Sequence, residues 1–175
     1  NQLIDDTKKK NIPLVIIRPT MIYGDFINFE DKNLSKILKV MSFVPLIPLP
    51  NKSGLRQPIH VSQLSDSILT FTDKFLRKKN HQIVQDIVNL GGDEELSYIE
   101  MVKAIRNSLP NSNKAKKCAI VKIPSKIFYL IFFPIFLFNE KFFEALLRIK
   151  ANLSGFQKSC ELNKNKPNRF PVFIK

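Results

Sequence analysis

The run Leu14-Val15-Ile16-Ile17, set between Pro13 and the pair Arg18-Pro19, constrains this chain more than any other stretch. Four consecutive aliphatic residues leave no side for solvent, the pattern of a short strand buried on both faces of a parallel sheet. Pro19 has no backbone donor and ends the strand. In an open α/β sheet, ligands collect beyond the carboxyl ends of the strands, so the segment 18–24 falls where a site is expected. Hydrophobic residues make up 44% of the 175, enough to build a core around such a sheet.

The remaining elements follow from spacing. Leu3 and Ile4 belong to the last turns of a helix, with Lys8 to Lys10 suiting its C-terminus. Leu34, Ile37, Leu38 and Met41 recur at helical intervals behind Asp31, an N-cap residue. Three prolines between Val44 and Pro50 exclude a central strand and predict an extended edge, followed by a turn at 51–54. Arg56 to Val61 reads as a short strand running into a helix with Leu64, Ile68, Leu69, Phe71 and Phe75 inward. Gln82 to Asn89 reads as a strand closed by the turn Gly91-Gly92. Ser97 and Glu100 have the spacing of a capping box, and Ile99, Val102, Ile105 and Leu109 form the inner face of its helix. Glu94 and Glu95 fit the acidic start of that helix better than a catalytic carboxylate pair. Cys118 to Ile123 is strand-like and stops at Pro124.

Arg18-Pro19-Thr20-Met21-Ile22-Tyr23-Gly24 resembles the R-P-x-x-x-Y-G segment of the extended short-chain dehydrogenase/reductases, the NAD-dependent epimerase/dehydratase family. Gly54-Leu55-Arg56-Gln57-Pro58-Ile59-His60-Val61-Ser62-Gln63-Leu64 resembles that family's R-x-x-I-H-V-x-D-L-A segment, with Gln63 in place of the usual Asp. A weaker match lies at Ile87 to Gly92, and together they cover roughly residues 1 to 110. The resemblance implies an α/β fold, the C-terminal portion of a Rossmann-like parallel sheet plus a small, largely helical substrate-binding subdomain. Residues 1–110 would hold the sheet part, interleaved with substrate-binding segments, and 111–175 the helical subdomain and tail.

By the same resemblance, Pro19, Thr20 and Ile22 would border an NAD or NADP cofactor. Arg18, Asn33, Leu34 and Arg56 would hold a nucleoside-diphosphate sugar, Arg56 gripping its pyrophosphate. Arg18 reads equally as a strand-end salt bridge, and Asn33 as a helix cap. Tyr23 is read as a packing residue of the turn, and His60 as a structural one that fixes the loop.

The family's chemistry also needs a Gly-rich strand-to-helix turn for the dinucleotide and a Tyr-x-x-x-Lys acid/base pair. None of the five glycines forms such a turn. Tyr23, Tyr98 and Tyr129 are followed four residues later by Ile27, Val102 and Phe133. No catalytic residue is therefore assigned here. The chain, which begins with Asn, is expected to be the C-terminal half of a longer protein and inactive without its N-terminal half. The function implied is that of a C-terminal fragment of an NAD(P)-dependent nucleotide-sugar epimerase/dehydratase. The alternatives are a noncatalytic or membrane-associated binding module of the same fold, or a relative acting on a lipid-like alcohol or ketone. A homodimer stays open.

There are 28 basic and 15 acidic residues, a formal net charge of +13. The lysines are scattered and no RNA-binding motif interleaves them with aromatics, which favours attraction for phosphate-bearing ligands over nucleic acid as a partner. Cys118, Cys160, His60 and His81 show no metal-ligand spacing, so no metal is expected, and the cysteine usage suits a reducing, cytoplasmic compartment. Ile127 to Phe138 is twelve apolar residues with five Phe and Pro134, too short to span a bilayer. It is expected to be a buried helical hairpin, the alternative being a membrane-surface contact flanked by Lys126 and Lys141. The Asn/Lys-rich tail from Asn163 is expected to be loosely ordered.

Overall fold

The computed structural model describes residues 2–10, 12, 14–24, 32–77, 85–138, 144 and 147–171. Strand β1 (Leu14–Pro19) runs parallel to β6 (Gln85–Gly91), Leu14 facing Gln85 and Pro19 facing Leu90, and β6 runs parallel to β9 (Gln157–Lys158). Three two-stranded pairs accompany this sheet. They are parallel β2 (Ile22–Tyr23) with β5 (Ile59–His60), parallel β3 (Leu46–Pro50) with β8 (Ala119–Ile123), and antiparallel β4 (Leu55–Arg56) with β7 (Leu96–Ser97). The described helices include α1 (Gln2–Lys9), α2 (Lys32–Phe43), α3 (Val61–Arg77), α4 (Tyr98–Ser108), α5 (Ser125–Phe138) and α6 (Ser159–Asn163), and a 3-10 turn spans Lys114–Lys117. The chain is α/β with mostly parallel pairing, the class expected. Asp31 and Gln82 lie outside the described residues.

Strand β1 forms where expected, but its apolar residues are half-buried rather than buried on both faces. Alternation explains this. Val15 and Ile17 pack with Val88 and Leu90 against Leu64 and Phe71 of α3 and Leu162 of α6. Ile16 and Arg18 face the other way with Ile87 and Asn89, and Ile87 is 43% exposed. Arg18 therefore stands at the carboxyl end of β1 on the open side of the sheet.

The prolines of β3 are accommodated by parity. The amide of Ala119 donates to Pro45 O (2.8 Å) and that of Asn51 to Ile123 O (2.8 Å), so residues 45, 47, 49 and 51 turn their backbone groups toward β8. Pro48 and Pro50 point away and remove no ladder donor.

Helix α4 has the capping box its sequence announced: the Glu100 amide donates to Ser97 Oγ, and the Ser97 amide to Glu100 Oε2 (2.8 Å). Helix α3 departs from expectation. Leu64 and Phe71 face the sheet, but Ile68 and Leu69 are exposed, and Ser67 takes the buried place between them. Asn163 Nδ2 donates to Ser67 Oγ (3.1 Å) and Thr70 Oγ1 to Asn163 Oδ1 (2.9 Å), so this face is partly polar because it binds α6. Helix α5 is one helix through Pro134. Its Phe128 is buried but Leu130, Ile131 and Phe133 are exposed, so the burial expected for this run is not found on that side.

Candidate functional site

The carboxyl ends of β1 and β6 converge on Gln57. Its carbonyl accepts from the Thr20 hydroxyl and from the Gly92 amide (3.1 Å). The Thr20 amide in turn donates to Leu90 O (3.0 Å). A Cβ on Gly92 would collide with the carbonyl oxygen of Pro58, so only glycine allows this approach. The Gln57 side chain is fully buried and used twice over. Its Nε2 donates to Gly92 O (2.8 Å) and Phe156 O (3.1 Å), while its Oε1 accepts from the Phe156 amide (3.1 Å). Thr20 is thereby tied to the residue following Arg56, two parts of the chain that sequence placed at one site.

The turn after β2 closes the floor. Gly24 has φ 110, which suits glycine, and a Cβ there would run into the His60 imidazole. His60 precedes α3 and acts as its N-cap: its Nδ1 accepts from the Ser62 amide (3.2 Å) and lies 2.7 Å from Ser62 Oγ. Accepting at Nδ1 leaves the ring proton on Nε2. Tyr23 is buried with its ring edge-on to His60 and Phe170. Both residues are placed as packing and positioning groups.

Arg56 is the charged residue of this site. It is 7% exposed, held by β7 and by a bridge to Leu153, and among the described residues its guanidinium has no hydrogen-bond acceptor or ion-pair partner. Burial holds it below the usual arginine range, Tyr98 opposes the shift and Arg148 adds to it. The Tyr98 hydroxyl is raised by burial, with Arg56 pulling it down. The segment 149–153 is stitched along 54–55: the Gly54 amide donates to Ile149 O (3.0 Å), Leu55 N to Asn152 Oδ1 (3.2 Å), and Leu153 N to Leu55 O (2.8 Å). This leaves a cleft of about 430 Å³ lined by Lys52, Ser53, Gly54, Leu55, Ser125, Tyr129, Lys150 and Asn152.

Of the remaining expected site residues, Pro19 is exposed at the end of β1 and Ile22 is 39% exposed beside Ile59. Leu34 is half-buried against the cluster of Tyr23, Met101, Ile105 and Phe170. The side chain of Asn33 lies outside the described residues. Sequence reasoning missed Tyr98 and Arg148 as neighbours of Arg56, and Lys52 and Lys150 in the adjoining cleft. Tyr98, Arg148 and Lys150 lie too far from Arg56 in the chain for a periodic signal, while Lys52 belongs to the turn expected at 51–54.

Gln63 and Asp93 share one buried network. The His60 amide donates to Gln63 Oε1 (2.9 Å), the reach-back half of a capping box. Gln63 Nε2 donates to Asp93 Oδ2 (2.7 Å) and Ser159 Oγ (3.0 Å). Asp93 also accepts from the Ser159 hydroxyl (2.7 Å), the Cys160 amide (2.8 Å) and the Asn168 amide (2.8 Å). Glu94 and Glu95 do not cap α4. They accept from the Phe170 amide (2.8 Å) and the Gly155 amide (2.9 Å). Within residues 163–171 of the tail expected to be loose, Asp93 and Glu94 hold the Asn168 and Phe170 amides, and Phe170 is buried.

No protein-family model and no curated protein sequence matches the chain. Solved structures do. An epimerase from Methanothermobacter thermautotrophicus is 15% identical with a TM-score of 0.55, covering 95% of this chain and 42% of its own. Pal from Bacillus thuringiensis is 13% identical with a TM-score of 0.54, covering 98% and 46%. UDP-glucuronic acid 4-epimerase from Bacillus cereus, in complex with UDP-glucuronic acid and NAD, is 14% identical with a TM-score of 0.51, covering 96% and 45%. The likeness is one of fold, and the chain spans less than half the length of each of these proteins. The α/β fold implied by the two sequence motifs is thus the fold found, shared with a part of each of these proteins.

Proposed function

We propose that this chain is the substrate-holding C-terminal part of an NAD(P)-dependent enzyme acting on the sugar of a nucleoside-diphosphate sugar, as an epimerase or dehydratase. The observation that carries this is Arg56. Among the described residues no acceptor or ion-pair partner meets this buried guanidinium, and a buried charge left without a partner is unfavourable until one arrives. A diphosphate entering beside it would accept directional, charge-assisted bonds from the guanidinium fork. Lys52 and Lys150 add positive charge to the adjoining cleft. Arg18, exposed at the end of β1, offers a further cation on the open side of the sheet.

The end of β1 also fits one wall of a dinucleotide site. Pro19 and Ile22 present apolar surface there, and Thr20 is fixed by its bonds to Gln57 and Leu90. When bound, a nicotinamide cofactor accepts hydride from a sugar carbon. The residues present here would orient the sugar nucleotide against it. The pyrophosphate cradle and the general base would come from an N-terminal half of the same protein.

Calorimetric titration with UDP, UDP-sugars and dTDP-sugars tests the assignment. Arg56→Ala should weaken nucleoside-diphosphate binding by about 2 kcal/mol or more, roughly 30-fold, and leave binding of the bare nucleoside unchanged. Unaltered diphosphate affinity in a folded Arg56→Ala protein would remove the basis of the reading.

A further inference from the structure

Helix α5 is apolar round its whole circumference. Phe128 is buried and Tyr129 and Phe132 half-buried on the inner side, while Ile127 (48%), Leu130 (75%), Ile131 (55%) and Phe133 (58%) are exposed on the outer side. A helix without a polar face normally lies in a protein core or in lipid. At 14 residues, α5 is about 21 Å long and falls short of a hydrocarbon layer of about 30 Å. No described helix is long and apolar enough to cross a membrane.

We propose that α5 docks on an anionic membrane surface, its outer face entering the boundary between headgroups and acyl chains. Charge selects this occupant. The Ser125 amide and hydroxyl both donate to Asn51 Oδ1 (3.1 and 2.9 Å), and the Lys52 amide donates to Ser125 Oγ (3.2 Å). Lys52 is therefore fixed beside the first turn of α5, which carries the exposed Lys126. Lys150 lines the same cleft as Ser125 and Tyr129. Three lysines, Lys52, Lys126 and Lys150, thus gather at one end of an exposed apolar face. Their stems can lie along the apolar surface while the ammonium groups meet lipid phosphates. A second copy of this chain would bring the same cations to the same rim against a net charge of +13, which disfavours self-association through this face.

The chain has no Trp, so Phe133→Trp places a single fluorescent reporter on the outer face. The measurements are its emission and co-sedimentation with vesicles of phosphatidylcholine alone or mixed with phosphatidylglycerol. The expected result is binding and a blue shift with the mixed vesicles only. In the otherwise native chain, Leu130→Gln should weaken binding at least about tenfold while circular dichroism is unchanged. Lys126→Glu should weaken it further at low salt. Any of three results overturns the proposal: no sedimentation and no shift with either vesicle, binding that Leu130→Gln leaves intact and salt abolishes, or lipid-independent self-association that Leu130→Gln removes.

Discussion

Asp93 shows how one buried side chain can gather segments of the chain that are far apart in sequence. Burial alone would raise its carboxyl, but bonds from the Asn168 amide, the Ser159 hydroxyl and the Cys160 amide outweigh that and hold it below its ordinary value of 3.8. A carboxylate lowered in the folded state binds fewer protons there than in the unfolded chain. Its contribution is therefore fully present above the unfolded value and is lost as pH falls through the folded one. Asp93→Asn turns an acceptor into a donor facing donors and should cost about 2 kcal/mol or more at neutral pH. The denaturation midpoints of the two proteins should converge as the solution is acidified below the ordinary carboxylate range; a constant gap would show that Asp93 is not the titrating group. None of this was legible in the sequence. Gln63 read as a lost Asp and Glu94 as a helix-start residue, because their partners lie 30 to 76 residues away. Arg56 was named by its motif, but that no described residue pairs with its guanidinium could be seen only in three dimensions.

At the scale of elements, sequence and structure agree wherever the signal is local. Strand β1, the α2 face of Ile37, Leu38 and Met41, and the capping box of α4 all depend on neighbours within a few residues. Ser97→Ala should lower stability by about 1 kcal/mol, read as a shift in urea midpoint with unchanged slope. Glu100 is held low first by the Ser97 side chain and then by its amide, so the same substitution should move the Glu100 titration, followed by NMR, back toward its ordinary range. Agreement fails where an element's surroundings are distant in sequence. The inner face of α3 includes Ser67 because α6 arrives nearly a hundred residues later with Asn163. The outer face of α5 looked like core on composition alone, since apolarity states what a surface avoids and leaves open what covers it.

For the whole molecule, the C-terminal segment acts as a strap. It pairs β9 with β6, lays α6 on α3, passes its amides to Asp93 and Glu94, and seats Phe170 on Tyr23 with ring centroids 4.9 Å apart. The strap thus joins the helix-α4 cluster of Met101 and Ile105 to the turn after β1. Those two regions carry Tyr98 and Thr20, the flanks of the proposed site. Phe170→Ala should therefore do more than open a cavity worth about 3 kcal/mol. Because Phe170 packs against Tyr23, whose ring contacts His60, hydrogen exchange should speed up together in 21–24, 59–63 and the first turns of α4, and ligand affinity at Arg56 should fall with it. Faster exchange confined to 168–171 would mean that the tail rests on the site without bracing it.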